Sequence, residues 1–242
     1  MADVATFPTD CPACHGQGFF TYDVDMDDPR FGRAFPCSCL QGRSGEETLR
    51  LLIGHSGLEE AGLTDKTFAA FRISDSNRQA FLSAQRFAQN PQGWLLLCGG
   101  VGRGKTHLLA AIGNEMLARG LPVVYANAPR MLGRLKATFD ARNVGELSFE
   151  ERFQGLKQVN VLLLDDLGAE YATEWAQVTF FELLDHRYSN HLATAIASNL
   201  KRSSFDGRLG SRLQEAIYVE LSGPDYRQIL GRQQQGDLWP TA

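Results

Sequence analysis

Gly99-Gly100-Val101-Gly102-Arg103-Gly104-Lys105-Thr106 fills every position of the pattern G-x-x-x-x-G-K-[ST]. An apolar run, 94–98, precedes it, and residues 105–119 follow with apolar side chains at helical spacing until Gly120 closes the segment. Strand, glycine loop and helix in that order separate a phosphate-binding loop from an ordinary glycine-rich turn. Glycines let the backbone wrap closely around phosphates, while successive N–H groups and the helix N-terminus present partial positive charge to them. The ammonium of Lys105 is expected to reach β- and γ-phosphate oxygens, and the hydroxyl of Thr106 to ligate Mg²⁺. The expected ligand is ATP with Mg²⁺.

Downstream, residues 161–164 form a buried-strand run that ends in Asp165 and Asp166. Beside a complete phosphate loop, two charges closing an apolar strand point to metal and water chemistry rather than to an aspartate pair in an exposed turn. Asp165 is placed to hold a Mg²⁺-bound water and Asp166 to polarise the attacking water. Asn199 follows the run 193–198, where a polar side chain can meet the γ-phosphate or that water; an Asn at a strand end is also an ordinary turn former. Further strands are predicted over 122–126 and 216–221, with helices in the intervals. This alternation predicts an α/β domain with a parallel sheet flanked by helices, beginning near Leu63.

A chain of 242 residues has room for one such domain and a small appendage. With 43% hydrophobic and 21% charged residues it carries enough apolar surface for a real core, which excludes wholesale disorder. No apolar run approaches the ~18 residues that cross a bilayer, and the first residues lack the basic and apolar segments of a signal peptide. The expected location is the cytoplasm, with no membrane partner. A formal net charge of -4 excludes a histone-like polycation but permits a local basic patch. Arg130, Arg134, Lys136, Phe139 and Arg142 on a predicted helix supply one. Such a face can track the backbone of single-stranded DNA, or it can be a solvated helix face.

Cys11, Cys14, Cys37 and Cys39 crowd the start of the chain, whereas Cys98 stands alone and reads as a small core residue. In a reducing cytosol, clustering of this kind speaks for metal rather than disulfides. The spacing is C-x₂-C, twenty-two residues, then C-x-C. Four thiolates suit a closed tetrahedral Zn²⁺ site, and so small a module has no core adequate to fold without one. The shortened second pair leaves His15 open as a substitute ligand; reduced unpaired thiols and an iron–sulfur site are the alternatives. The expected organisation is a zinc-binding module over 1–42, a helical linker over 43–62 carrying Leu49, Leu51 and Leu52, and the ATPase domain over 63–242.

The passage Leu163-Leu164-Asp165-Asp166-Leu167-Gly168-Ala169-Glu170 resembles the bacterial replicative helicase loaders DnaC and DnaI and the transposition helper IstB. So do Trp175, Leu184-Asp185-His186-Arg187-Tyr188 and Ser198-Asn199-Leu200, together with the flanks Thr67-Phe68, Phe71 and Gly223-Pro224-Asp225-Tyr226-Arg227. The resemblance covers roughly residues 63 to 230 and implies an AAA+ P-loop ATPase fold. It makes Asn199 the sensor 1 residue, Arg212 in Ser211-Arg212-Leu213 the arginine finger with Arg208 as its competitor, and Arg227 the sensor 2 residue. A guanidinium supplied by a neighbouring subunit neutralises charge on the transferring phosphoryl group, so hydrolysis is expected to depend on self-assembly.

Most AAA+ proteins carry Glu where this chain has Asp166, although the loader branch also uses Asp-Asp; the shorter reach implies slow turnover. Fifteen residues follow Arg227, too few for the four-helix lid of many AAA+ proteins, so a neighbour is expected to cap the nucleotide. The resemblance implies an ATP-dependent loader that binds single-stranded DNA and a hexameric replicative helicase. An IstB-like transposition helper shares the core but has no expected need of a cysteine-rich front, which DnaI-like loaders carry. A P-loop kinase of small-molecule metabolism requires a substrate pocket and lid that the sequence does not offer.

Overall fold

A computed structural model of the chain describes residues 11–14, 19–21, 34–38, 56–140, 149–168, 173–205 and 207–227. Near the N-terminus, β1 (Phe19–Thr21) and β2 (Ala34–Pro36) pair antiparallel with Phe20 opposite Phe35. The large domain opens with α1 (Arg78–Gln89), β3 (Trp94–Cys98), α2 (Lys105–Ala118), β4 (Val124–Asn127) and α3 (Ala128–Asp140). It continues with α4 (Phe149–Gln158), β5 (Val161–Asp165), α5 (Glu174–Ser189), β6 (Ala193–Ser198), α6 (Gly207–Leu213) and β7 (Ile217–Glu220).

The runs that read as continuous apolar strands are buried at every position of β3, β5 and β6, as a parallel sheet covered on both faces requires. The five strands lie parallel in the order β4-β5-β6-β3-β7. Alternate side chains divide between two cores. Leu95, Leu97, Leu163 and Ala195 pack with Phe81, Leu108 and Ile112 from α1 and α2. Leu96, Leu162, Leu164 and Ile196 pack with Leu132, Phe153, Phe180 and Leu184 from α3, α4 and α5.

Helix ends follow local chemistry. Thr173 caps α5 by accepting from the Ala176 N–H at 3.3 Å, and α2 stops where Gly120 takes φ 71 and its N–H donates to the Leu117 carbonyl. From α5, the fully buried Arg187 donates to the carbonyls of Val159 (2.7 Å) and Ala193 (2.6 Å) and to Thr194 Oγ1 (2.9 Å). These bonds fasten the helix to the starting ends of β5 and β6. Burial draws the Arg187 guanidinium down to about 9, still above neutral pH.

Of the linker expected over 43–62, residues 56–62 are described; Leu58 among them is fully buried in the first core, where it meets Gly113. The rest of that linker, like most of the module expected over 1–42 and residues 228–242, lies outside the described residues. Register sets up the site. Cys98 is opposite Ser198, Leu164 opposite Ile196 and Asn127 opposite Asp165. The carboxyl ends of β3, β6 and β5 therefore stand side by side, the usual position for a ligand on an open α/β sheet.

Candidate nucleotide site

Lys105 begins α2, and its ammonium folds back to donate to the carbonyls of Gly99 and Gly100 and to Asn199 Oδ1, each at 2.8 Å. Burial pulls its pKa below the usual lysine range, while the nearby Asp165 and Asp166 oppose that shift. The next residue, Thr106, donates its hydroxyl to the Asp165 carboxylate at 2.9 and 3.1 Å. Asn199 Nδ2 donates to Asp166 Oδ1 at 2.9 Å. The loop, the acidic strand end and the polar end of β6 thus form one continuous set of hydrogen bonds. Asp166 sits at φ 59, a left-handed conformation that Asp and Asn tolerate better than most residues.

Asp165 is buried, and burial raises its pKa above the usual carboxylate range, while bonds from Tyr125 and Thr106 pull it back. Tyr125, on β4, donates its phenol to Asp165 Oδ2 at 2.8 Å. Sequence reasoning missed this residue. The available signal was a polar-headed aromatic in an apolar strand two positions from the residue opposite Asp165. Thr106 and Asp165 bring hard oxygen donors together in small number, which suits Mg²⁺, an ion that keeps several of its waters.

The glycine loop is braced by the chain's later part. A Cβ at Gly99, where φ is 144, would strike the Leu221 carbonyl, and one at Gly102, where φ is 72, would strike the Asp225 carboxylate. Arg103 donates to the Leu221 carbonyl at 3.1 Å and the Tyr226 N–H to the Gly102 carbonyl at 3.0 Å. Val101 is exposed at the loop tip. Arg227 follows immediately; its N–H donates to Asp225 Oδ1 at 2.9 Å and the residue is exposed. On the other side, Phe71 stacks on Phe81 and meets the His107 ring edge-on, and His107 Nε2 lies 2.8 Å from the Thr67 carbonyl.

Arg212 is placed differently. From α6 it pairs with Asp185 on α5 and lies over the rings of Phe181 (4.9 Å) and Tyr188 (5.6 Å). Arg208 shares α6, but its side chain lies outside the described residues. On α3, Arg130 and Lys136 are exposed, whereas Arg134 pairs with Glu60. The side chain of Phe139 and all of Arg142 lie outside the described residues.

At the front, Sγ atoms of Cys11, Cys14 and Cys37 all lie within 4.8 Å of one another. Cys11 and Cys37 are 3.6 Å apart, close to the ~3.8 Å edge of a tetrahedron with Zn–S bonds of about 2.3 Å. Backbone N–H groups of Ala13 and Cys14 draw the Cys11 thiol down to about 7, which favours the ligating thiolate. Cys39 and His15 lie outside the described residues. Cys98 behaves as expected of a core residue: it is buried, and burial and Glu220 raise its thiol to about 11.

The family described as the bacterial DnaA ATPase domain matches residues 63–220. The replicative helicase loader DnaC of Buchnera aphidicola (subsp. Schizaphis graminum) is 24% identical over 209 residues, covering 78% of this chain and 84% of that protein. A crystal structure of DnaI superposes with a TM-score of 0.56 at 26% identity, over 68% of this chain and 92% of that one. A replication initiator DnaA, solved with AMPPCP and single-stranded DNA, gives a TM-score of 0.59 at 27% identity over 73% of this chain. The match covers 56% of that initiator chain, little more than half of its length. Among the described residues, no helix is long and apolar enough to cross a membrane.

Proposed function

Because the chain belongs to the family of the bacterial DnaA ATPase domain, within the AAA+ P-loop ATPases, we propose that it is an ATP-dependent loader of the hexameric replicative DNA helicase. One observation carries the choice of loader over initiator. The cysteine cluster ahead of the ATPase domain, with Sγ atoms of Cys11, Cys14 and Cys37 within 4.8 Å of one another, fits the metal-binding front that the resemblance to DnaI-like loaders implies, with Zn²⁺ as the metal that folds the module and residues 1–55 as the part that grips the helicase. This role places the protein in the cytoplasm.

The geometry supports a division of labour. Lys105 exchanges its loop carbonyls for phosphate oxygens, and N–H groups of the glycine loop and the start of α2 supply partial positive charge to the same phosphates. Thr106 and Asp165, bonded to each other, are the side chains that would hold Mg²⁺ and its waters, and the ion would there neutralise phosphate charge. Asp166 orients and polarises the attacking water, and Asn199, already bonded to both Lys105 and Asp166, fixes their separation. Arg212 from a neighbouring copy and Arg227 from the same chain complete the charge balance. Hydrolysis is accordingly slow in the isolated subunit and depends on self-assembly. The exposed Arg130 and Lys136 on α3 supply contacts to single-stranded DNA.

The test is reconstitution with the helicase of the same cell. Full-length protein should capture the hexamer and place it on circular single-stranded DNA only with ATP. A version lacking residues 1–55, cut ahead of the buried Ser56 and Leu58, should keep ATP binding and lose capture. Absence of capture by the full-length chain, with or without nucleotide, would overturn the loader assignment.

A further inference from the structure

We infer that Tyr125 is a positioning residue for the metal site: its phenol holds the Asp165 carboxylate in the orientation that Mg²⁺ requires. The inference rests on the nucleotide-site reading above. Asp165 has two donors among the described side chains, Thr106 and Tyr125. Thr106 is the hydroxyl that must offer a lone pair to the metal, so its geometry changes when the site fills. Tyr125 has no such duty. It reaches Asp165 from the neighbouring strand at 2.8 Å, through a bond between buried groups.

The sheet explains why the phenol can serve as a fixed strut. Asn127 and Asp165 are directly opposite each other in the β4–β5 ladder, and Tyr125 and Leu163 are the pair two residues earlier on the same face. Tyr125 and Leu163 belong to the same core beneath α2. The ring is thereby packed among apolar side chains while its hydroxyl projects to the strand end. A carboxylate only accepts, so in this pair the phenol is the donor. A second donor to a metal-binding carboxylate typically matters by about 10–100-fold in metal affinity.

The experiment measures Mg²⁺ dependence of nucleotide binding, not turnover. Fluorescent ATP is titrated into full-length wild type, Tyr125→Phe and Asp165→Asn at a series of Mg²⁺ concentrations and in EDTA, with melting temperatures alongside. Tyr125→Phe should bind nucleotide normally in EDTA, melt within a few degrees of wild type and need about 10-fold more Mg²⁺ for its half-maximal effect. A Mg²⁺ requirement equal to wild type in Tyr125→Phe, while Asp165→Asn is impaired, overturns the role of Tyr125 and leaves the site reading intact. If Asp165→Asn also matches wild type, the site reading itself has failed. A Tyr125→Phe protein that does not fold also counts against the inference, because it makes the hydroxyl a requirement of the core rather than of the metal.

Discussion

Lys105 Nζ donates to Asn199 Oδ1 at 2.8 Å across 94 residues of sequence, so the phosphate loop and the end of β6 are set by one bond. Removing either partner should have different consequences. Lys105→Ala takes away the proposed phosphate contact and should abolish ATP binding. Asn199→Ala should change ATP affinity by no more than a few-fold but cut hydrolysis by about 10²–10³, the usual loss on deleting one preorganised polar group. Equilibrium binding and single-turnover hydrolysis on the two variants separate the effects.

Asp166 combines its proposed water-polarising role with an unusual backbone. Asp166→Asn keeps a residue type that accepts φ 59, so it should bind ATP and melt like wild type while losing hydrolysis. Asp166→Ala should lose hydrolysis and, in addition, about 1 kcal/mol of stability, because Ala tolerates the left-handed region less well. Calorimetry beside the hydrolysis assay checks both.

Arg212 is held within its own subunit by Asp185. To serve a neighbour's phosphate it must leave that partner, so Asp185→Asn should raise assembly-dependent hydrolysis by ~2–5-fold, the equivalent of the ~0.5–1 kcal/mol of a partly exposed ion pair. Arg212→Ala should bind ATP and not hydrolyse it. Mixing it with Asp166→Asn should restore part of the activity, since one kind of interface then has both intact halves. Full hydrolysis by Arg212→Ala would transfer the role to Arg208.

Protein purified without chelators should contain about one zinc per chain by elemental analysis, and Cys14→Ser should lose it. Finding iron with sulfide instead would replace the tetrahedral zinc site by a cluster.

Arg187 tests the frame rather than the chemistry. Arg187→Met leaves the carbonyls of Val159 and Ala193 without their donor, at a cost on the order of 3 kcal/mol. For a domain of this size that lowers the melting temperature by roughly 6–12 °C. Arg187→Lys should rescue little, because one ammonium cannot span the acceptors that the guanidinium reaches.

The parts of this site that the sequence made legible are those whose chemistry is local. The loop through Thr106, the aspartates closing β5 and the Asn after β6 each sit at the end of a recognisable strand. Partners set by packing were not legible. Tyr125 meets Asp165 across 40 residues and Arg212 meets Asp185 across 27, and each looks ordinary in its own segment. Strand limits shifted for similar reasons. The strand expected over 122–126 is Val124–Asn127, because Pro122 has no N–H for a ladder and Asn127 finds Asp165 opposite it. At 216, the Ala216 N–H bonds to the Leu213 carbonyl and closes α6, so β7 begins one residue later.

The bracing of Gly99 by Leu221 and of Gly102 by Asp225 bears on how this chain can drift over generations. Gly99 is kept by the Leu221 backbone carbonyl and Gly102 by its left-handed φ of 72, whatever the loop binds. A descendant that had stopped hydrolysing nucleotide would retain them for as long as the segment 221–227 stayed in place, while Lys105, Asp166 and Asn199 became free to change. Among relatives, the polar side chains rather than the glycines are therefore the record of which lineages still turn over ATP.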